Sequence, residues 1–452
     1  MNPVVALAPR FQRAGGRDSR VTTSLAITAF AVTTGLTLCV VGGLLGFMAR
    51  ADAPLAPGED DIRSLYEILA WFAVILLVVP LVTLGGSAAR LGVARRDARL
   101  ATLRLLGVTT REVVALTLVE TAWQGFVGAV LGIVLYGALL PFVGLLPFQG
   151  TTFSVSELWV GWQGLVIALI AVPALAGLSG AFSLRRVAIS PLGVARRTSP
   201  KGMGFVRLLV ALVGIGMFMV VSAIGGVFGA AAIAALIGSL AVGFAMLNVV
   251  GPWVLGVVGK VQLRRAKTPA RLLAARRLLD DPRAVWRVVG GLGLAGFVAG
   301  ALVVIPSIVD VDASQDPQGA ILQDDLVTGA LVTLVVAFLL AAASAGIAQA
   351  SSVLDHRREI ALQNLAGTPV ELLDSVRRRS VLVPLLLVGV GSAVTALIMF
   401  LPLLGTIAIR DASSLLLLAA FLAAGCALVF AATETSRPLL RSVLADTVVR
   451  AD

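Results

Sequence analysis

The sequence predicts an all-α polytopic membrane protein of about ten transmembrane helices, built as two four-helix units joined by a linking pair. Three observations carry this. Of 452 residues, 58% are apolar and 13% charged, with a mean hydropathy of +0.98, whereas soluble domains hold about 45–50% apolar and ~25% charged residues. The apolar residues gather into runs that reach the roughly 20 residues a hydrocarbon core requires. The remaining charges segregate by loop. One set holds Arg50, Arg63 and Arg410 against twelve carboxylates, a net −9, and the other set sums to +20. Lys and Arg collect on the cytoplasmic side of membrane proteins, so both termini are expected in the cytoplasm of a plasma-membrane protein.

In chain order, Arg10, Arg13, Arg17 and Arg20 precede a first span near 22–48. It is too long for a signal-peptide core and has no clear cleavage site. An acidic loop with Glu59-Asp60-Asp61 leads to the second span, 66–89, and a basic stretch, 90–112, to the third, 113–140. PFQGTTFSVSE connects this to the fourth span, 159–183. Spans at 206–224 and 228–257 turn at Gly225-Gly226 and form the linking pair. Four more follow at 287–308, 326–350, 381–404 and 413–433. The units are thus 1–200 and 266–452, with 201–265 between them. Pro80, Pro173, Pro306 and Pro384 fall in or beside spans, where proline kinks a helix without breaking it.

The two units carry a parallel repeat. RRDARLATLRLLGVTTREVVALTLVE, starting at Arg95, is echoed by RREIALQNLAGTPVELLDSVRRRS, starting at Arg357. Pairing Gly107 with Gly367 also pairs Leu100 with Ile360, Ala101 with Ala361 and Leu105 with Leu365. Each copy reads as a short charged helix whose apolar residues (Leu100, Leu103, Leu106; Ile360, Leu365) lie against the membrane boundary. A glycine then supplies the left-handed closing residue. A capping box opens the next helix, Thr109 with Glu112 and Thr368 with Glu371, with Pro369 at the first helical position. The product is a rigid elbow between the second and third spans of each unit.

The pattern LRLLGVTTREV, its echo EIALQNLAGTPVEL and the Gly-rich span that follows resemble the FtsX-like/MacB-like permease family of ABC transporters. The resemblance implies a permease subunit that couples ATP hydrolysis by a separate nucleotide-binding ATPase to export of a membrane-associated or amphipathic substrate. It makes the elbows the coupling helices, with Arg99, Arg104 and Gly107 in one contact and Glu359, Asn364 and Gly367 in the other. Members with large extracellular domains carry them after the first span or between the seventh and eighth. Here those places hold only short loops.

The remaining residues narrow the chemistry. No G-x-x-x-x-G-K-[ST] phosphate loop occurs, since Gly259-Lys260 is followed by Val261. The chain is therefore expected to be no enzyme, to hold no cofactor or metal of its own, and to leave ATP and Mg to the partner, two copies per permease. Cys39 and Cys426 lie inside apolar runs, which supports neither a disulfide nor a zinc site. Glu120 is an acid within a span, a candidate for ion or substrate handling or an interfacial partner of Arg111. Gly125, Gly128 and Gly132 are the expected helix-packing stripe. Gly42/Gly46, Gly225/Gly229 and Gly296/Gly300 share the four-residue spacing, and the sparser Gly389 and Gly391 imply different packing in the second unit. The basic runs, among them Arg377–Arg379, fit anionic lipid, and no interleaved aromatics suggest nucleic acid. Asp324-Asp325 reads as part of an outer loop that avoids cations, or as a lure for a cationic substrate. A transmitter controlling a partner protein and an ion-driven transporter are the competing readings.

Overall fold

The computed structural model describes residues 17–52, 63–90, 109–188, 250–302, 317–404 and 412–440, with 213, 216 and 220. Helix α1 is Arg17–Ala51, α2 Arg63–Arg90 and α3 Thr110–Gly144. A two-stranded hairpin follows, β1 Pro147–Phe148 and β2 Thr151–Thr152, antiparallel, and then α4 Gly161–Ala188. Helix α5 covers 250–264, α6 Pro269–Asp280, α7 Pro282–Leu302, α8 Pro317–Asp355, α9 Arg357–Leu365, α10 Val370–Leu404 and α11 Ala412–Glu434. Three of these helices open on a proline, whose missing N–H falls where a helix has no acceptor for it.

The protein is an all-α polytopic membrane protein. Among the described residues six helices (α1, α3, α4, α8, α10 and α11) are long and apolar enough to cross a membrane, and shorter apolar stretches lie at Leu65–Val78 in α2 and Val289–Gly300 in α7. These coincide with eight of the ten expected spans. The span at 206–224 and most of that at 228–257 lie outside the described residues. Large apolar side chains such as Val134, Trp162, Ile170 and Leu416 face outward, which only a hydrocarbon surround makes stable.

Within the first unit α1 packs chiefly on α3, and within the second α7 packs chiefly on α10. Both contacts are close because glycine removes the side chain between two backbones, but the tightest glycines fall on different partners. In the first unit they are on α3, and Gly35 of α1 also faces α3, its added Cβ 2.9 Å from Leu135. A Cβ on Gly128 would strike Phe30, and one on Gly132 would lie 2.6 Å from the Thr34 Cβ. In the second unit they are on α7, where a Cβ on Gly296 would strike the Gly389 carbonyl and one on Gly300 would lie 2.6 Å from the Ala393 carbonyl. Gly125 faces a third helix, α4, with its added Cβ 2.9 Å from Ala176. All three expected packing glycines are therefore at helix contacts. The fourth helix differs as well: α4 lies mainly on α3, whereas α11 lies mainly on α8. Between the units α8 packs on α2 and α1, and one buried cluster runs through both, from Ala26 and Leu76 to Leu292 and Leu334.

Candidate functional site

Helix α8 spans the bundle from a hairpin end to an elbow end. The 31 residues from Asp325 to Asp355 rise roughly 45 Å at about 1.5 Å per step, more than a hydrocarbon core.

At the elbow end α9 is a two-turn helix with a fully formed stop. Gly367 has φ +87°. Its N–H donates to the Asn364 carbonyl at 3.0 Å, and the Thr368 N–H donates to the Gln363 carbonyl at 3.0 Å. These are the two bonds of a Schellman motif. A Cβ on Gly367 would meet nothing within 4 Å, so backbone conformation alone demands glycine. The next helix starts differently from expectation. Leu373 N–H donates to the Pro369 carbonyl, which puts Pro369 at the cap and not one residue inside, and α10 begins at Val370. The Thr368/Glu371 box is thereby displaced, because the Schellman bond already uses the Thr368 N–H. In the first copy the box forms as expected: Thr109 N–H donates to Glu112 Oε2 at 3.0 Å, and Glu112 N–H donates to Thr109 Oγ1 at 3.4 Å.

Ile360 fixes the elbow. It is buried with Val353 at the end of α8, Leu373 at the start of α10 and Leu440 beyond α11. Leu365 instead is 60% exposed, as is much of Leu362 and Val370. One of the two apolar residues assigned to the membrane boundary is thus an internal anchor, and the other belongs to an uncovered apolar tip. Glu359 and Gly367 are exposed and Asn364 half-buried beside that tip. Arg99, Arg104 and Gly107 lie outside the described residues, so only the second set of coupling residues is seen together.

Helix α6, which lies ahead of the spans of the second unit, supports the elbow. Thr268 Oγ1 caps α6, and Ala270 and Ala274 pack on Val376 of α10. Arg277 of α6 feels the Glu359 carboxylate. Thr-Pro followed by small residues four apart was the signal for this helix. Beside it, Arg377 is no lipid-facing cation. Its side chain is 4% exposed. It donates to Asp374 at 2.9 Å, to Glu434 at 3.0 Å, to the Thr433 carbonyl at 3.1 Å and to Ser436 Oγ at 3.3 Å, tying α10 to α11. Arg378 and Arg437 add longer ion pairs to the same carboxylates. Arg379 remains exposed.

Glu120 is buried on α3 beside Thr117, Thr121 and Gln124, and it is engaged in an electrostatic or hydrogen-bonded contact. Among the described residues no His, Cys, Asp and Glu side chains cluster in a way that could hold a metal ion.

At the hairpin end, Arg50 at the close of α1 donates to Glu157 at 2.9 Å and to the Phe148 and Thr152 carbonyls at 2.9 and 3.0 Å, over the Phe153 ring. Asp325, expected in a solvated loop, is instead buried in the first turns of α8. It accepts from the Tyr66 hydroxyl at 2.6 Å and the Gln149 N–H at 2.7 Å, so it joins α2 and the hairpin to α8. Its partners are 259 and 176 residues away, and no local pattern announces them.

The Arg50 bond holds Glu157 at about 2, against an ordinary 4.5. A carboxylate with a depressed pKa stabilises the fold above its ordinary pKa and loses that contribution as pH falls through the folded value. The hairpin is therefore expected to loosen between about 4.5 and 2, as read by the emission of Trp159 and Trp162. Glu157→Gln should be less stable at neutral pH and show no transition in that window. The same transition in both proteins would reject the assignment.

Residues 68–192 match the family model for the FtsX-like permease C-terminal domain. This stretch runs from within α2 to just beyond α4, and the short helix and glycine of the first expected elbow within it lie outside the described residues. No curated protein matches the chain, and no solved structure does.

Proposed function

We propose, from the FtsX-like permease domain at residues 68–192 that makes this chain a membrane permease component of an ABC-type system, that it transmits ATPase motion through two elbows to expel an amphipathic, membrane-borne substrate. FtsX-like permeases work in general with an ABC ATPase. The observation that carries the finer reading is the α9 elbow: Ile360 is clamped among three segments while Leu362 and Leu365 project uncovered. A docked protein that covers these leucines moves α9, and the Schellman turn passes the displacement to α10 without slack. ATP and Mg belong to that partner. Elbows and termini face the cytoplasm, in keeping with the basic loops at that end.

Both elbows reside on one chain, so the complex contains one permease and two ATPase copies. Mass measurement of the purified complex tests this, and two permeases per ATPase pair would overturn it. A transmitter acting on an outer partner is distinguished by ATPase turnover in liposomes free of other proteins. Stimulation by an amphiphile alone supports export, and stimulation only with an added outer protein supports transmission.

A further inference from the structure

Between the two units, toward the hairpin end, lies a partly open cavity of about 270 Å³ lined by α1, α2, α7 and α8, with Val143 of α3 and Phe148 and Phe153 of the hairpin region at its edge. Its walls are almost wholly apolar, with Phe47, Phe72, Leu77, Phe297 and Val336 among them. Small residues keep it open: Ala70 and Ala73 on α2 face Gly329 and Ala330 on α8, and a Cβ added to Gly43 on α1 would meet nothing within 4 Å. Protein interiors are otherwise close-packed, so such a space within a bilayer needs an occupant. Water is a poor one, because a buried water requires two to four polar partners and apolar cavities stay dry. Hydrocarbon suits the walls. It does not by itself select a ligand, since lipid tails are already as apolar as the cavity.

Selection falls to the polar end. Asp325 lines the cavity and is 6% exposed. Its partners among the described residues, the Tyr66 hydroxyl and the Gln149 N–H, are neutral donors and both reach Oδ2. An ionised carboxylate accepts up to about four hydrogen bonds, and in a low-dielectric site it gains most from a cation. Thr333, the other polar side chain on α8 here, already donates to the Gly329 carbonyl at 2.9 Å.

We infer that this cavity binds one long-chain amphiphile with an ammonium head, its chain between the units and its amine at Asp325. The inference rests on the export reading only in naming that amphiphile a substrate, and the binding is measured without any ATPase. Failure to bind therefore leaves the coupling reading standing, and an absent ATPase leaves the binding standing.

The test uses the full chain in phosphatidylcholine nanodiscs with two photoreactive probes, hexadecylamine and hexadecanol carrying the same mid-chain diazirine. Saturable labelling is mapped by mass spectrometry. The wild type should be labelled on α1, α2, α7 and α8 around the cavity, with the amine saturating at a concentration about tenfold below the alcohol. Asp325→Asn keeps an acceptor for Tyr66 and Gln149 but removes the charge, and should bring the two probes to within about twofold. Gly43→Leu fills the empty space and should abolish saturable labelling by both probes while thermal stability is retained. Equal saturation of amine and alcohol in the wild type would overturn the inference, as would undiminished labelling of Gly43→Leu. Phosphatidylethanolamine in the disc then distinguishes the sources of the shared chemistry: competition with the amine assigns a bilayer lipid, and its absence assigns an amphiphile entering from water.

Discussion

Replacing Gly367 with valine should leave membrane insertion intact and reduce permease-dependent ATPase stimulation by about tenfold or more. The turn holds Gly367 at φ +87°, where an L-residue costs about 1–2 kcal/mol and a β-branched one is a genuine outlier. Relief of that strain requires surrender of one or both Schellman bonds, from Gly367 to Asn364 and from Thr368 to Gln363. Helix α9 would then reach α10 only through the packing of Ile360 on Leu373, and its movement would drive α10 less. A loss of 1.4 kcal/mol in the coupled state is a factor of ten. Because an added side chain meets open space, sterics are not at issue, and this gives a sharp control. Gly367→Asn, whose short polar side chain tolerates the left-handed region, should keep most of the coupling. If Asn and Val are equally inactive, the backbone explanation is wrong. Gly107→Val should behave like Gly367→Val, on the strength of the repeat, and wild-type coupling in the double variant would sink the elbow model.

Arg377→Leu should be the most destabilising single change in the second unit. The guanidinium reaches Asp374, Glu434, the Thr433 carbonyl and Ser436 Oγ at once. Removal of one partner from a buried ion pair typically costs about 3–5 kcal/mol, because the remaining charges stay buried without compensation. Asp374 and Glu434 are only half-buried, and Arg378 and Arg437 already contact them at 3.3–3.7 Å, which places the expected loss at or below the lower end of that range. Arg377→Lys should recover only part of it, since an ammonium cannot span acceptors on two helices as a planar fork does. Adding Asp374→Asn to the leucine variant should restore some stability by removing a stranded charge. Thermal unfolding in nanodiscs reads all three. A leucine variant within about 0.5 kcal/mol of wild type would show that the cluster holds nothing together.

Features set by short stretches of chain were legible in the sequence. The spans could be read because transfer into hydrocarbon sums over some 20 consecutive residues, and eight of them recur as apolar helices, although α8 and α10 begin well before the expected starts at 326 and 381 because the helix continues beyond the apolar run. The Gly367 stop and the Thr109/Glu112 box were legible because φ and capping are decided within one helical turn. Gly128 and Gly132 announced a close contact, but not that α1 would supply the other side. Gly296 and Gly300 likewise lay in an expected span, but the sequence did not show that α10 would be the helix they approach.

Charges were where sequence reasoning failed. Arg377 looked like one member of a lipid-facing run, and Asp325 like one of a pair in a solvated loop. Whether a charge is solvated depends on what surrounds it, and those surroundings come from residues distant in the chain: Glu434 for Arg377, Tyr66 and Gln149 for Asp325. The sequence by itself therefore determined the membrane-spanning helices, their turns and the likeness of residues 68–192 to an FtsX-like permease domain. Only tertiary structure decided which ions are buried, which helices the glycines meet and where the units leave a space. Hydrophobicity and backbone conformation are local sums, whereas burial and pairing exist only once remote segments have met.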